Sequence, residues 1–284
     1  MKLKERILIL GGSGFVGREL TNYFDSPGTS LSGKEGFIRC DTTNLFSLEK
    51  TIESVRPEII VNCVGLADVD RAETDLALAN ELNIQTVANI TEMQKRYGFR
   101  LVHISTDYVF DGIKGNYAEN DETHPINNYG LTKLAGEYVA SRDPVNLVVR
   151  ISTPYGKERG GTKKQFFRYV VESLKERKLV RALCDQFVTS TYLTDLARAL
   201  DELCEKGCTG IYHITGEERL SRYEFACMIA EAADLDRALI VKASVTEMTA
   251  WKAKRPLDTS LLVSKSKVEG VKYTSPRQAL KELF

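Results

Sequence analysis

RILILGGSGFVGRELTNYF, residues 6–24, is the stretch that decides the fold. Its apolar run Ile7–Leu10 stops at glycines, as a buried parallel strand does, and a helical pattern follows to about Phe24. Gly11, Gly14 and Gly17 stand in GxxGxxG spacing in the turn between them. Glycines there permit a tight turn and close approach of backbone to a pyrophosphate. The helix start adds free N–H groups and the positive end of its dipole. Glycine-rich turns are common, and a purely structural turn is the bland alternative. The strand–loop–helix setting near the beginning of the sequence points instead to a dinucleotide site.

Beyond this unit, Ile59–Cys63 (after Pro57), Leu101–Ile104 and Asn146–Ile151 are further short apolar runs. They alternate with helical stretches at about Ala72–Tyr97 and Tyr129–Ser141. That alternation predicts βαβ units, hence an α/β fold with a doubly wound parallel (Rossmann) sheet. Downstream, Lys163–Arg177 and Tyr192–Lys206 read as helices and Gly210–Ile214 as one more strand. Ser221 and Glu224 form a capping box that opens a helix to about Ala233, and Pro276 stands at the first position of the last helix. We expect residues 1–151 plus about 184–214 to form the dinucleotide-binding domain, and about 152–183 plus 215–284 a smaller C-terminal substrate-binding lobe.

Composition narrows the function. The 284 residues are 43% apolar and 27% charged, ordinary for a soluble globular protein. Lys+Arg and Asp+Glu both number 39, so there is no basic footprint for nucleic acid and no polybasic membrane patch. No stretch approaches a membrane span, and the run Ile7–Leu10 is too short for a signal peptide. The cysteines Cys40, Cys63, Cys184, Cys204, Cys208 and Cys227 contain no CxxC pair, and His103, His124 and His213 show no ligand spacing. No metal is therefore expected, and free thiols suit a reducing, cytoplasmic location.

Cofactor choice turns on the second strand, expected near Gly28–Ser32. NAD sites keep an acid about 20 residues past the glycine loop for the ribose 2′-hydroxyl. Here Ser30, Ser32 and Lys34 come before any acid. Hydroxyls and a lysine suit a 2′-phosphate, which favours NADP(H), with NAD(H) possible. Asp41 and Thr42 end the next extended piece and are candidates to contact the adenine.

The chemistry is concentrated in Tyr129 and Lys133, one helical turn apart on one face. A lysine cation near a tyrosine favours the phenolate and lowers its pKa, so the pair can deliver a proton to a carbonyl oxygen as hydride reaches its carbon. Thr106, at the end of the strand before this helix, can hydrogen-bond the same oxygen. A strand-end hydroxyl and a Tyr/Lys helix downstream of a glycine loop make a three-part coincidence.

Together with these, residues 61–65 (VNCVG), 69–73 (VDRAE) with Asn83, 105–112 (STDYVFDG), 128–137 (NYGLTKLAGE), 185–186 (DQ), 210–213 (GIYH) and 255–256 (RP) resemble the extended short-chain dehydrogenase/reductases. Within them, the resemblance is to the dTDP-4-dehydrorhamnose reductase family and covers nearly the whole chain. Dehydratases of that superfamily usually carry glutamate where this sequence has Tyr108, which favours reduction. The resemblance implies that Gly11, Ser13, Gly14, Phe15 and Val16 surround the pyrophosphate and that Cys63, Val64 and Gly65 line the cofactor cleft. It implies that Lys133 also binds the nicotinamide ribose, and that hydride passes to C4 of a nucleotide-linked keto sugar with Tyr129 as acid. Asp107 and Tyr108 would lie near the sugar and Arg255 would face its diphosphate. Two departures fall on the substrate side: Thr153 stands where the family commonly has tryptophan, and Ser190 where it has proline. The same superfamily supplies the alternatives: an epimerase or another sugar ketoreductase, or a non-catalytic regulatory subunit of methionine adenosyltransferase type. A nucleotide-sugar substrate and a possible homodimer complete the expected partners.

Overall fold

The computed structural model describes residues 6–157 and 165–284. Strand β1 (Ile7–Leu10) runs through the glycine turn into α1 (Phe15–Phe24). The short strands β2 (Thr29–Ser30) and β3 (Ile38–Arg39) pair with each other, and Gly28 bridges to Ile9, so they extend the sheet beside β1. Then come α2 (Leu45–Val55), β4 (Ile59–Asn62), α3 (Val69–Thr74), α4 (Leu76–Asn80), α5 (Thr86–Tyr97) and β5 (Arg100–Thr106). Next follow α6 (Asn128–Ala140), β6 (Leu147–Ile151), α7 (Phe166–Lys175), β7 (Val180–Leu183), β8 (Phe187–Val188), α8 (Leu193–Glu205) and β9 (Gly210–His213). The chain ends with β10 (Leu220–Ser221), α9 (Arg222–Ala232), β11 (Ile240–Ala243), α10 (Ser264–Val268) and α11 (Pro276–Leu283). Residues 163 and 164 of the expected helix Lys163–Arg177 lie outside the described residues.

The central sheet has the order β1-β4-β5-β6-β9, parallel throughout. From β1 the chain moves outward to β2 on one side and to β4 on the other. The mouth of the sheet at β1 is therefore a topological switch point, where such folds bind ligands. Strand alternation explains the two covering layers. Ile7, Ile9, Val61, Val102, Ile104 and Val149 pack with Leu20 of α1 and Leu196, Leu200 and Leu203 of α8. Leu8, Leu10, Ile60, Leu101 and Val148 face the other way, onto Leu48 and Ile52 of α2 and Val87, Ile90 and Met93 of α5. Each such side chain contributes about 1.5–3 kcal/mol by leaving water. This is the doubly wound α/β class. A separate cluster joins α7, β7, α9, β11 and α11 through Val170, Leu174, Val180, Phe225, Ile229, Ile240 and Leu280.

The expected single helix Ala72–Tyr97 is not continuous. Asp75 leaves helical backbone (φ −134°, ψ 71°) and its side chain accepts from the Leu78 amide, starting α4 afresh. Residues Glu81–Gln85 then form a π turn. The extra residue of a π turn rotates one side chain inward, and such turns gather at functional sites. Here Asn83 is fully buried. It accepts from the Leu66 amide at 2.8 Å and donates to Thr132 of α6 at 2.9 Å. A period-3.6 apolar pattern cannot reveal a one-residue insertion of this kind.

Helix α6 is fixed to the sheet by a buried charge pair. Glu137 accepts three bonds from Arg150 of β6, from Nη2 at 2.8 Å and from Nε at 3.0 and 3.2 Å, and a further bond from Ser105 of β5 at 2.5 Å. Both charged side chains are 3% exposed or less. Removing one partner strands the other charge, which costs roughly 3–5 kcal/mol. Glu137→Leu is therefore expected to lower the urea unfolding free energy by about that amount, and the double variant with Arg150→Met to recover much of it. A Glu137→Leu loss near zero would show that the pair does not hold α6.

Candidate functional site

The glycine turn fits a dinucleotide on its own geometry. Gly11 has φ +75°, and a Cβ on Gly17 would lie 2.2 Å from the Gly11 carbonyl oxygen, so only glycine lets α1 start this close to β1. No side chain caps α1 and no acidic residue sits in its first turn, which leaves its first amides and dipole for an anion. Gly14, Phe15, Val16 and Gly17 line a cavity of about 830 Å3. Its other walls follow the C-terminal ends of β4, β5 and β6: Cys63, Val64 and Gly65, then Thr106, Asp107 and Tyr108, then Thr153 and Pro154. Tyr129 and Lys133 of α6 complete the middle, with Gln186, Arg222, Trp251 and Arg255 further along.

Helix α6 begins where Asn127 accepts from the Gly130 amide at 2.8 Å. A Cβ on Gly130 would meet the Tyr108 carbonyl oxygen at 2.1 Å, so glycine is what lets the helix start touch the end of β5. That contact sets Tyr129 edge-on to Tyr108, ring centroids 5.6 Å apart, with the Tyr129 hydroxyl hydrogen-bonded to Thr106. Lys133 is buried and donates from Nζ to the Ile104 carbonyl at 2.7 Å. Burial pulls its pKa down to about 8, against the raising influence of Glu137 and Cys63. Sequence reasoning has the lysine lowering the tyrosine pKa. In the structure burial pushes the Tyr129 phenol well up, helped by Asp107, and only the Thr106 bond works the other way. The phenol is thus firmly protonated at neutral pH.

Thr106 donates to Asp107 Oδ1 at 3.0 Å, while Ser152 and Thr259 donate to Oδ2 at 2.7 and 2.5 Å. Asp107 is therefore buried in the cavity wall with its carboxylate turned to three hydroxyls, one of them Thr106. Arg255 is 10% exposed in its side chain, pairs with Asp70 at 3.0 Å and stacks 4.9 Å from the Trp251 ring. The acidic residues near α3 thus do include a partner for this arginine.

Several expected residues stand off the cavity wall. Gly11 and Ser13 form the turn behind it, the Ser13 amide bonding to the Thr29 carbonyl. Ser32 and Lys34 are exposed in the turn after β2. Beside them Arg39 packs against Gly33, where a Cβ would come within 3.2 Å of it. This exposed arginine escaped the sequence reading, although it lies one turn from Lys34. Asp41 accepts from Thr43, and the buried Thr42 hydroxyl pairs with Thr86, so both build the β3–α2 connection.

Two further features carried no sequence signal. Thr153 has φ +38°, a left-handed conformation that a β-branched residue before proline avoids. Thr191 clamps the chain on both sides of it: the Ser152 amide donates to Thr191 Oγ1 at 3.0 Å, and the Tyr155 amide to the Thr191 carbonyl at 2.9 Å. Such strain in a cavity wall is typical of ligand sites. Arg222 enters the wall from the first position of α9, where its neighbours Ser221 and Glu224 read only as a helix cap.

Comparison with known proteins agrees with this fold. Residues 5–284 match the family described as RmlD substrate binding domain. The chain is 33% identical to dTDP-4-dehydrorhamnose reductase of Aggregatibacter actinomycetemcomitans, over 98% of each chain. It is 30% identical to the mouse (Mus musculus) methionine adenosyltransferase 2 subunit beta, over 98% of this chain and 86% of the relative. The crystal structure of dTDP-4-dehydrorhamnose reductase from Bacillus anthracis in complex with NADP superposes with a TM-score of 0.90 at 28% identity, covering 99% of both chains.

The lysine offers a test of the site's electrostatics. Its pKa falls from 10.5 to about 8 on burial, so below pH 8 it is charged in both the folded and unfolded states and the burial cost is fully present. Above pH 8 the folded protein releases the proton first, and the cost fades toward pH 10.5. Lys133→Met is expected to be more stable than the parent by roughly 1–3 kcal/mol at pH 7, with the gap closing by about pH 10. Urea unfolding at both pH values measures it; a destabilised variant at pH 7 would mean the ammonium is a net stabiliser.

Proposed function

The chain belongs to the RmlD substrate binding domain family, and on that premise we propose that it uses NADPH to reduce the 4-keto group of a dTDP-linked deoxysugar, dTDP-4-dehydro-L-rhamnose to dTDP-L-rhamnose. The observation that carries the reading is one continuous cavity. It joins the uncapped start of α1 to Tyr129 and Lys133, and Thr106 stands between them at the end of β5.

Gly14, Phe15 and Val16 would hold the pyrophosphate on the turn that Gly11 and Ser13 shape, and Cys63, Val64 and Gly65 the nicotinamide half. Lys133 would hold its ribose, the β3–α2 connection that Asp41 and Thr42 build would flank the adenine, and Ser32, Lys34 and Arg39 would meet the 2′-phosphate. The bound dinucleotide supplies the hydride. Tyr129 keeps its proton until negative charge develops on the substrate oxygen, because burial makes its phenolate costly. It then transfers that proton to the oxygen. Thr106, fixed by Asp107, holds the Tyr129 hydroxyl in place, and its hydrogen bond favours the phenolate left behind. Tyr108 packs against Tyr129 as a flat platform for the sugar. Cytoplasmic residence and a homodimer belong to the same proposal; among the described residues no helix is long and apolar enough to cross a membrane.

A second reading, a regulatory subunit that acts by binding, is favoured by the likeness to methionine adenosyltransferase 2 subunit beta over nearly the whole chain. The two separate in one assay. Consumption of NADPH at 340 nm with a dTDP-linked 4-keto sugar supports the reductase. Absence of turnover with every nucleotide keto sugar, together with tight association with a methionine adenosyltransferase, supports the regulator.

Tyr129→Phe is expected to cut kcat by roughly 10²–10⁴-fold while leaving NADPH affinity within about twofold. Near-normal turnover would place the proton donor elsewhere. NADPH is expected to bind more tightly than NADH, and Lys34→Ala with Arg39→Ala to narrow the gap by about tenfold per lost contact. A titration favouring NADH in the parent protein would refute that assignment.

A further inference from the structure

The far end of the cavity holds a cation that the mechanism above does not use. Arg222 Nε donates to Gln186 Oε1 at 3.2 Å. Its guanidinium lies 5.1 Å from the Phe166 ring centroid and hydrogen-bonds the Tyr108 hydroxyl. These partners are all uncharged. Among the described residues none forms an ion pair with Arg222, and the nearby carboxylates are committed elsewhere. Asp107 accepts from three hydroxyls, Asp70 pairs with Arg255, and Glu224 is bound to the Ser221 amide and hydroxyl. Burial works most strongly against the Arg222 cation, Tyr108 and the Asp107 carboxylate partly support it, and the like charge of Arg255 opposes it. A charge held in a cavity wall without a direct ion-pair partner is costly unless a ligand supplies one. A guanidinium has five N–H donors in a planar fork suited to phosphate, and the bonds named here use two of them.

Position adds to chemistry. Tyr129 touches one side of the Tyr108 ring, and Arg222 reaches the hydroxyl at its far end. The proton donor and the free cation are therefore separated by about one aromatic ring. In a pyranose, C4 and the anomeric C1 lie across one six-membered ring from each other. A sugar lying along Tyr108 with its 4-keto oxygen at Tyr129 brings the phosphate on C1 to Arg222.

We propose that Arg222, oriented by Gln186, is the subsite for the sugar-proximal phosphate of a nucleoside diphosphate sugar, and that its distance from Tyr129 selects ketones at C4. The Arg255 charge is balanced by Asp70, so that residue builds the wall and is not the principal phosphate ligand. This rests on the cavity being a nucleotide-sugar site.

Calorimetric titration with dTDP and dTMP separates the two claims, because it needs no turnover. The parent protein is expected to bind dTDP more tightly than dTMP. Arg222→Met should weaken dTDP by about 10- to 100-fold, as expected for charged hydrogen bonds, with dTMP changed by less than about threefold. Arg222→Lys, which keeps the charge and loses the fork, should fall between and guards against a folding defect in the Met variant. Unchanged dTDP affinity in both Arg222 variants, with parent binding intact, overturns the subsite and leaves the nucleotide-sugar reading standing. A parent protein that binds neither nucleotide overturns both.

Discussion

The buried ion pair between Glu137 and Arg150 is the constraint on which the site depends. Helix α6 carries both Tyr129 and Lys133, and it has to meet the ends of β5 and β6 at a fixed height for either to face the cavity. Apolar packing alone would permit small slides along the helix axis. A bidentate carboxylate–guanidinium contact does not, because it is directional and its loss leaves a bare charge in the core. Ser105 adds β5 to the same carboxylate, one residue before Thr106. Glu137 also stands one turn beyond Lys133 and supports its charge. The group that positions the helix is thus the group that helps keep its lysine cationic.

Around this anchor the protein keeps several charges in poor solvation. Lys133 is buried with a depressed pKa, Asp107 is satisfied only by hydroxyls, and Arg222 faces the cavity with neutral partners. Thr153 stores backbone strain in the same wall. None of these would be chosen for stability alone. The two-layered apolar core of the parallel sheet is large enough to offset them, and the strained residues all sit at the strand ends or in the wall opposite. The arrangement is preorganised: the dipoles and charges are in place before a substrate arrives.

The sheet was legible in the sequence because its strands are short, continuous apolar runs and its glycine turn has a spacing tied to one geometry. The Tyr129, Lys133 and Thr106 grouping was legible for a similar reason, since helix periodicity and strand order bring them together without side-chain detail. What escaped depends on tertiary choices. The π turn at Glu81–Gln85 shifts register by one residue inside a good helical pattern. Arg39 lies on the far partner of a two-residue strand pair. Arg222 sits far beyond Tyr129 in the chain, in a helix start whose cap explains its neighbours completely. Asp107 and Arg255 were picked out by resemblance, but only coordinates reveal that each is already bound to groups of this chain.

The central claim is that this cavity moves a hydride to C4 of a nucleotide-linked sugar. Isotope transfer tests it most directly. With NADPH deuterated on the transferring face of its nicotinamide C4 and a dTDP-linked 4-keto-6-deoxy sugar, the account predicts one deuterium at C4 of the product sugar. The opposite face should transfer none. Product that carries no deuterium at C4 with either labelled cofactor would contradict the account.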